Sequence, residues 1–593
     1  MRIHLRNICL QFALFCSLLL SGQVRISSEE ELGLLKETPM EALYLHTPGT
    51  LYMPGEYLYY SVYCVNMQNY KLSELSEVAY VQLISEDNIV VFTQKIDIED
   101  GRGQGDFFFP TDLPSGNYKL VAYTHWMKNA GISQFFRADL TFINPYRADQ
   151  NVFLNPGDIR ERTPIEGLDV AGRGSGTGTK DLGLEVDKAV YAMGEVVTLQ
   201  VRNFRGVRGY GTYSLSVRKT DDLPGPRPVT AENYGNAYSG LLKRIPQRVN
   251  DILAVPEQRG ELISGRITNP AGEALSGRSI AVSLPGSDFQ VKKVRTDEEG
   301  KFYTYLTRAY NERTGMAEVL SPGPEEANVK FDWYSPYTFE DELSGFYQFE
   351  LQRDMAEAIR KRSIHNQIEN NYFEVKPDTL IFNETSDPFE GELPQVYELE
   401  DYTRFKTLRE TIIEYIEYVW IKKDDDGTDT FYVREPMSRE GTYYTTDPPL
   451  VVVDGILLPD RKSMLGYDAR KIKTIKVLRN KYQLGGQNYQ GMVAIETIDN
   501  TYLENWDSEY GSRFSFLPAS PRKNYFRQIS YSDTIPDFRY QLLWEPHISI
   551  QGVGNTYSFY TSQVPGTYEV RLEGFTTFGK PISLTTSFQV ESP

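Results

Sequence analysis

The sequence is short of the residues that carry most chemistry. It has three cysteines and five histidines in 593 residues. Cys9 and Cys16 fall in an N-terminal stretch that reads as a cleavable signal, which leaves Cys64 as the one cysteine of the mature chain. That excludes an internal disulfide and a cysteine-built metal cluster. Cys64 continues the alternation of Tyr60 and Val62 and is expected as a small buried hydrophobe. His46, His125, His365 and His547 form no H-E-x-x-H motif and no pair at ligand spacing, so no metal is expected. His125, beside Trp126, is expected to be structural. A G-x-S-x-G elbow and a G-x-x-x-x-G-K-[ST] loop are missing too, and no cofactor or enzymatic activity is expected.

Long apolar runs are equally scarce. Ile8–Leu20 is too short to span a bilayer, follows Arg2, His4 and Arg6, and precedes Ser21-Gly22. It reads as a secretory signal over residues 1–23, and the bulky Leu14-Phe15 before Cys16 argue against a lipobox. No later stretch is long and apolar enough for a membrane-spanning helix. Positive charge is in deficit, with a formal net charge of −19, which argues against nucleic acid and against general adhesion to anionic lipid.

What the sequence has in excess is aromatic. Aromatics make up 13% of it, 41 of them Tyr, which favours half-buried strands and interfaces. From Glu41 to Asn144, alternating strands recur between Pro54-Gly55 and Ser115-Gly116 turns, the spacing of a β-sandwich. The segment Leu51-Tyr52-x-x-Gly55-Glu56 reappears as Val190-Tyr191-x-x-Gly194-Glu195, displaced by 194 − 55 = 139 residues, so a second sandwich is expected from about Leu182. Between the copies, AGRGSGTGTK at 171–180 is a flexible linker by composition. Asp354–Tyr372 changes to a helical period, Thr407–Tyr418 forms a second helical stripe, and Val419–Val433 reads as a hairpin about Asp426-Gly427. The carboxylates at 424–426 and 429 lack calcium-loop spacing and are expected as a solvated turn. Near the end, QVPGTYEV echoes LPSGNYKL, so the tail is expected to complete a further sandwich.

Three resemblances attach to these segments. LYMPGEYLYYSVY and GRGQGDFFFPTDLPSGNYKLVAYTHWM resemble the macroglobulin-like (MG2) domain, although no C-G-E-Q thioester motif is present, so protease trapping is not implied. ELISGRITNPAGEALSGRSIAVSLPG with VRTDEEGKFYTYL resembles the carboxypeptidase regulatory-like domain, a seven-stranded sandwich without peptidase chemistry. PLVVVDGILL, then Thr474–Arg479, then Gly485, Gly486 and Gly491 before a Met492–Ile498 strand, resembles the plug of TonB-dependent outer-membrane receptors. In those receptors a barrel of about 22 strands follows, whereas fewer than a hundred residues follow Asn500 here. A plug without its barrel is therefore expected.

The expected architecture is a mainly β multidomain chain: tandem β-sandwiches plus one small α/β plug-like domain. Its boundaries are 1–23 signal, 24–148 first sandwich, 149–180 linker, 181–257 partial second sandwich, 258–335 regulatory-like sandwich, 336–375 helical, 376–505 plug-like and 506–593 closing β portion. Inside the plug-like segment, Arg470, Lys471, Lys473, Lys476 and Arg479 crowd together in an otherwise acidic chain. They are the candidate docking residues, for an acidic partner or for lipopolysaccharide phosphates. The combination resembles exported proteins typical of Bacteroidota. It implies a non-enzymatic scaffold at the outer membrane, on its periplasmic face or at the cell surface, with a β-barrel protein or its assembly or secretion machinery as partner. A glycan- or peptide-binding protein is the alternative.

Overall fold

The computed structural model describes residues 24–25, 29–150, 153, 181–238, 252–286, 288–306, 314–320, 330–333, 343–381, 387–424, 427–436, 447–515, 517–530 and 534–592. The signal segment, the 154–180 part of the linker and the acidic residues 425 and 426 lie outside these. Within them the architecture is mainly β, as the alternating patterns imply, and among the described residues no helix is long and apolar enough to cross a membrane. The chain divides into two units: 23–259 with 337–382 and 519–593, and 260–336 with 383–518.

The first unit holds two sandwiches with one topology. In the first, Tyr57–Asn66 lies between Glu41–His46 and Arg102–Phe108. The facing sheet runs Leu51–Tyr52, Phe136–Phe142, Gly116–Thr124, Val78–Ser85, Val90–Asp97. In the second, Val196–Asn203 lies between Leu182–Val186 and Gly554–Tyr560. Its facing sheet runs Val190–Ala192, Pro581–Glu591, Gly566–Thr576, Gly211–Lys219, Gln541–Ile550. The short strand pairs parallel to its neighbour in both copies, and every other pairing is antiparallel. The duplication extends to single bonds. Tyr118 donates to the Pro114 carbonyl at 2.7 Å, and Tyr568 to the Val564 carbonyl at 2.8 Å.

This topology corrects the expected boundaries. The partial second sandwich and the closing β portion are one sandwich, with four of its eight strands drawn from each segment. Where the first copy turns from Val78–Ser85 to Val90–Asp97 through residues 86–89, the second inserts residues 220–540. One core, with Val197, Leu199, Val217, Leu572 and Phe588 fully buried, is filled from both sides of that insertion.

The helix expected over 354–372 forms over Ala356–Asn371 in the same unit. Of the residues expected on one stripe (Met355, Ile359, Arg362 and Ile364 to Ile368), Ile359 and Arg362 lie on its buried face and Ile364 does not. Ile364 is exposed, whereas Arg362, Ser363 and Asn366 are buried with Ile359.

In the second unit, seven strands form two small sheets where the regulatory-like sandwich was expected. Lys301–Leu306, Glu261–Thr268 and Lys330–Trp333 make one sheet; Gln290–Arg295, Ser279–Leu284, Thr314–Val319 and Gly511–Ser515 make the other. The last strand comes from beyond the plug-like segment, so the 258–335 boundary also falls short. The plug-like sheet runs Gln395–Glu398, Ile472–Leu484, Gln487–Thr497, Leu450–Val453, Ile456–Leu457. Leu450–Val453 pairs parallel to Gln487–Thr497 and is buried on both faces. Val451 and Val453 face a core with the Leu408–Tyr415 helix and the Val419–Lys423/Asp429–Val433 hairpin, while Leu450 and Val452 join Phe289 and Ala281 of the regulatory-like sandwich. Gly491 does not precede the third strand as expected but lies within it, at φ 75° opposite a register shift, with Leu478 O 2.4 Å from where its Cβ would stand.

Candidate functional site

The Pro54-Gly55-Glu56 turn does the same local work in both sandwiches. Glu56 Oε2 accepts from Met53 N at 3.2 Å, and Glu195 Oε2 from Ala192 N at 2.8 Å. Beyond that bond the copies part. Glu195 pairs with Lys188 at the surface. Glu56 is buried and takes a bidentate pair from Arg362 (2.6 and 2.8 Å), whose Nη1 also reaches Asp221. Burial would raise the Glu56 carboxyl, but Arg362 outweighs it and holds the group below the usual carboxylate range. Asn366 and Asn370 of the same helix donate to Glu56 and to the Gly55 carbonyl. Gly55 is at φ 86°, where glycine is favoured, and a Cβ there would displace the Asn370 amide, 2.1 Å away.

Beside this cluster opens a cleft of about 150 Å³. Tyr57, Tyr59, Phe373, Tyr525, Phe538 and Trp544 are among its aromatic walls. Tyr59 meets Tyr525 edge-on at 5.0 Å and Trp544 at 6.2 Å; Tyr57 stacks with Phe373 at 6.4 Å. Most polar groups lining it are already engaged: Lys376 with Glu369, Asp378 with Phe526 N, Asn366 with Glu56. Arg218, Gln541 and Trp544 differ. Arg218 Nε and Nη2, Trp544 Nε1 and Gln541 Oε1 are buried with no hydrogen-bond partner among the described residues. Arg218 instead forms an ion pair with Glu56, 3.6 Å from Nη2, and lies 5.3 Å over the Tyr52 ring. Strand pairing brings the three residues together, with Arg218 opposite Gln541 and Ser216 opposite Trp544 across a register shift. Buried polar groups without a protein partner are uncommon in native proteins and are often met by ordered water.

A second polar cluster in this unit is sealed. His46 Nδ1 lies 2.6 Å from Ser214 Oγ, and Tyr63 donates to the same oxygen at 2.9 Å. His46, Ser214 and Ser216 are all buried, and Trp544 packs edge-on against the imidazole at 5.1 Å. Nearby, Glu573 accepts from Ala231 N, Ser583 Oγ and Tyr44 OH, and burial pushes its carboxyl up to about 7 against the pull of Arg571. The Ser–His pair lies in a buried, hydrogen-bonded core.

The five basic residues anticipated as a docking patch do not act together. Arg470 pairs with Asp468 beside it, Lys476 with Glu496 across the strand pair, and Arg479 donates to the Arg434 and Glu435 carbonyls while stacking on Tyr418 at 4.2 Å. Lys471 and Lys473 remain exposed. At the acidic turn, Asp424 and Asp429 pair with Arg461, Lys462 and Arg409. Cys64 is buried and free, and His125 is buried against the Val255 carbonyl at 2.7 Å. No sequence motif marks the cleft, because its residues come from four distant segments. The one available signal was the aromatic excess.

No known family profile matches this sequence, and no curated protein does. Among solved structures, Escherichia coli alpha-2-macroglobulin activated by porcine elastase aligns over 93% of this chain and 44% of its own, at 10% identity and a TM-score of 0.23. Salmonella alpha-2-macroglobulin reacted with methylamine aligns over 97% and 40%, at 9% identity and a TM-score of 0.23. Dimeric latent PorU from Porphyromonas gingivalis aligns over 50% and 33%, at 13% identity and a TM-score of 0.15. The chain spans less than half the length of each, and similarity this low carries no argument about the site.

Proposed function

We propose that this chain is a non-enzymatic exported scaffold that works at the outer membrane by holding a β-barrel partner or its assembly or secretion machinery. The observation that carries the reading is the cleft beside Glu56, a preformed aromatic site in which Trp544 Nε1 and Gln541 Oε1 are buried with no hydrogen-bond partner among the described residues. Two like sandwiches, the second closed by strands from both sides of a long insertion, give that site a rigid frame. Lys471 and Lys473 are the remaining candidates for an acidic partner or lipopolysaccharide phosphate, since Arg470, Lys476 and Arg479 have partners of their own. A glycan- or peptide-capturing role is the second reading, favoured by the same aromatic walls.

The test is recovery of the tagged chain from detergent-solubilised outer membranes. A β-barrel protein recovered in stoichiometric amount supports the scaffold; a lone chain that retains a glycan supports the alternative. Reversing Lys471 and Lys473 to Glu should weaken recovery without unfolding the protein, because both side chains are exposed. Unchanged recovery removes the lysines from the proposal.

A further inference from the structure

We propose that one end of the second sandwich is a lipid-contacting surface, where three loop tips carry apolar side chains into an anionic phospholipid interface between exposed arginines. The proposal goes beyond the scaffold reading and needs no protein partner.

Three loops meet at this end: 204–210, 551–553 and 577–580. Asn203 N donates to the Val553 carbonyl at 2.8 Å, and Asn203 Nδ2 to the Gly206 and Gly552 carbonyls at 2.8 and 2.9 Å. Thr577 N donates to the Tyr210 carbonyl at 2.8 Å. Those bonds hold the tips side by side. Each tip exposes large apolar residues: Phe204 at 55%, Val207 at 57%, Val553 at 87% and Phe578 at 59%. Single exposed apolar residues are ordinary on a protein surface, but several on adjoining tips mark an interaction surface.

The fold does not demand this exposure. At the same end of the first sandwich, Met67, Ile98, Trp126 and Met127 of the corresponding loops are buried, with Tyr70 the exposed exception. The two copies share a topology, so exposure in the second follows from its own loop residues.

Charge selects the occupant. The three loops hold Arg205, Arg208 and Lys580 and no acidic residue, in a chain of net charge −19. Arg205 and Arg208 are exposed on either side of Val207, while Lys580 pairs with Asp181 at the rim. The net charge opposes lipid contact over the surface at large, which leaves a local basic end as the favoured face. Guanidinium groups match phosphate oxygens, and phenylalanine and valine suit the acyl boundary beneath the headgroups. A bilayer accepts separate apolar tips without the close shape fit that a protein interface needs.

Vesicle flotation of the chain without its 1–23 segment, whose apolar run would itself bind lipid, tests this. Vesicles of phosphatidylcholine with roughly one-third phosphatidylglycerol should carry the chain, and phosphatidylcholine alone should bind it roughly tenfold or more weakly. Arg205→Gln with Arg208→Gln should lose roughly tenfold or more on the anionic vesicles, at about fivefold per arginine. Val553→Ser with Phe578→Ser should lose a similar amount. These positions are exposed, so thermal unfolding should stay in place. Phe578→Trp gives a readout independent of affinity: spin-labelled acyl chains should quench its emission beyond that of the five native tryptophans. Equal binding to neutral and anionic vesicles, binding unchanged in either double variant, no added quenching, or no binding by the folded chain overturns the inference. Should the variants instead lose a barrel protein while vesicle binding persists, the end docks protein, and the scaffold reading stands without the lipid contact.

Discussion

At the scale of single residues, the buried charges decide most. Arg362 neutralises Glu56 inside the first unit, so Arg362→Met strands a carboxylate in the core and should cost about 3–5 kcal/mol of stability. Adding Glu56→Gln should recover most of that loss, measured as urea midpoints of the three variants. Glu573 behaves in the opposite sense. Burial raises its folded-state value from 4.5 to about 7, so the folded chain holds the proton more tightly than the unfolded one. Its contribution is fully present below about pH 4.5 and is lost as pH rises through about 7. Glu573→Gln keeps an acceptor for Tyr44 and Ala231, and should raise the urea midpoint at pH 8 but not at pH 5. The histidines oppose this trend. Burial holds His125 and His547 down to about 3 and His365 to about 4, with His46 lowered as well, against an ordinary 6.5. Stability from these four is present above pH 6.5 and lost as pH falls below it, so His547→Gln should flatten the acid limb of the stability curve.

Among the elements, local signals in the sequence were followed closely by the chain. Thr407 caps the Leu408–Tyr415 helix with Glu410 in a reciprocal box, and Thr407→Ala should cost about 1 kcal/mol. Asp454, in the turn after Leu450–Val453, is buried at φ 48° and accepts from Thr497 N, Thr497 Oγ1, Tyr502 N and Leu503 N. Asp454→Ala leaves those donors unmet and should cost about 2–4 kcal/mol by chemical denaturation, with Asp454→Asn milder. Strands, turns, the 419–433 hairpin and both helices were legible because period, caps and turn residues are properties of short windows. The face of the Ala356–Asn371 helix was not. The period groups Ile364 with Ile359 and Arg362, but the buried Glu56, 306 positions before Arg362, draws in Arg362 and Asn366 and leaves Ile364 exposed. The basic patch misled for a related reason: a run of lysines and arginines gives charge along the sequence and not the carbonyls and carboxylates that Arg479 and Lys476 meet after folding.

For the whole molecule, the sequence displays the duplication at a displacement of 139 residues but not where the second copy closes. Alternation tells which face of Gly211–Lys219 is buried and says nothing of a partner strand at Gln541–Ile550. The cleft was hidden by the same gap, since Arg218 and Gln541 meet only through that pairing. Removal of residues 519–593 should therefore uncover Leu199 and Val217, and hydrogen exchange should find 182–219 unprotected while 41–142 keeps both of its sheets. The claim that joins these scales is that a rigid double sandwich presents a ready-made site to a membrane-embedded partner. Native mass spectrometry of the chain extracted from outer membranes in mild detergent tests it most directly. A discrete complex with one β-barrel protein at fixed stoichiometry is the predicted result; the chain flying alone, from membranes in which it is abundant, would contradict the account.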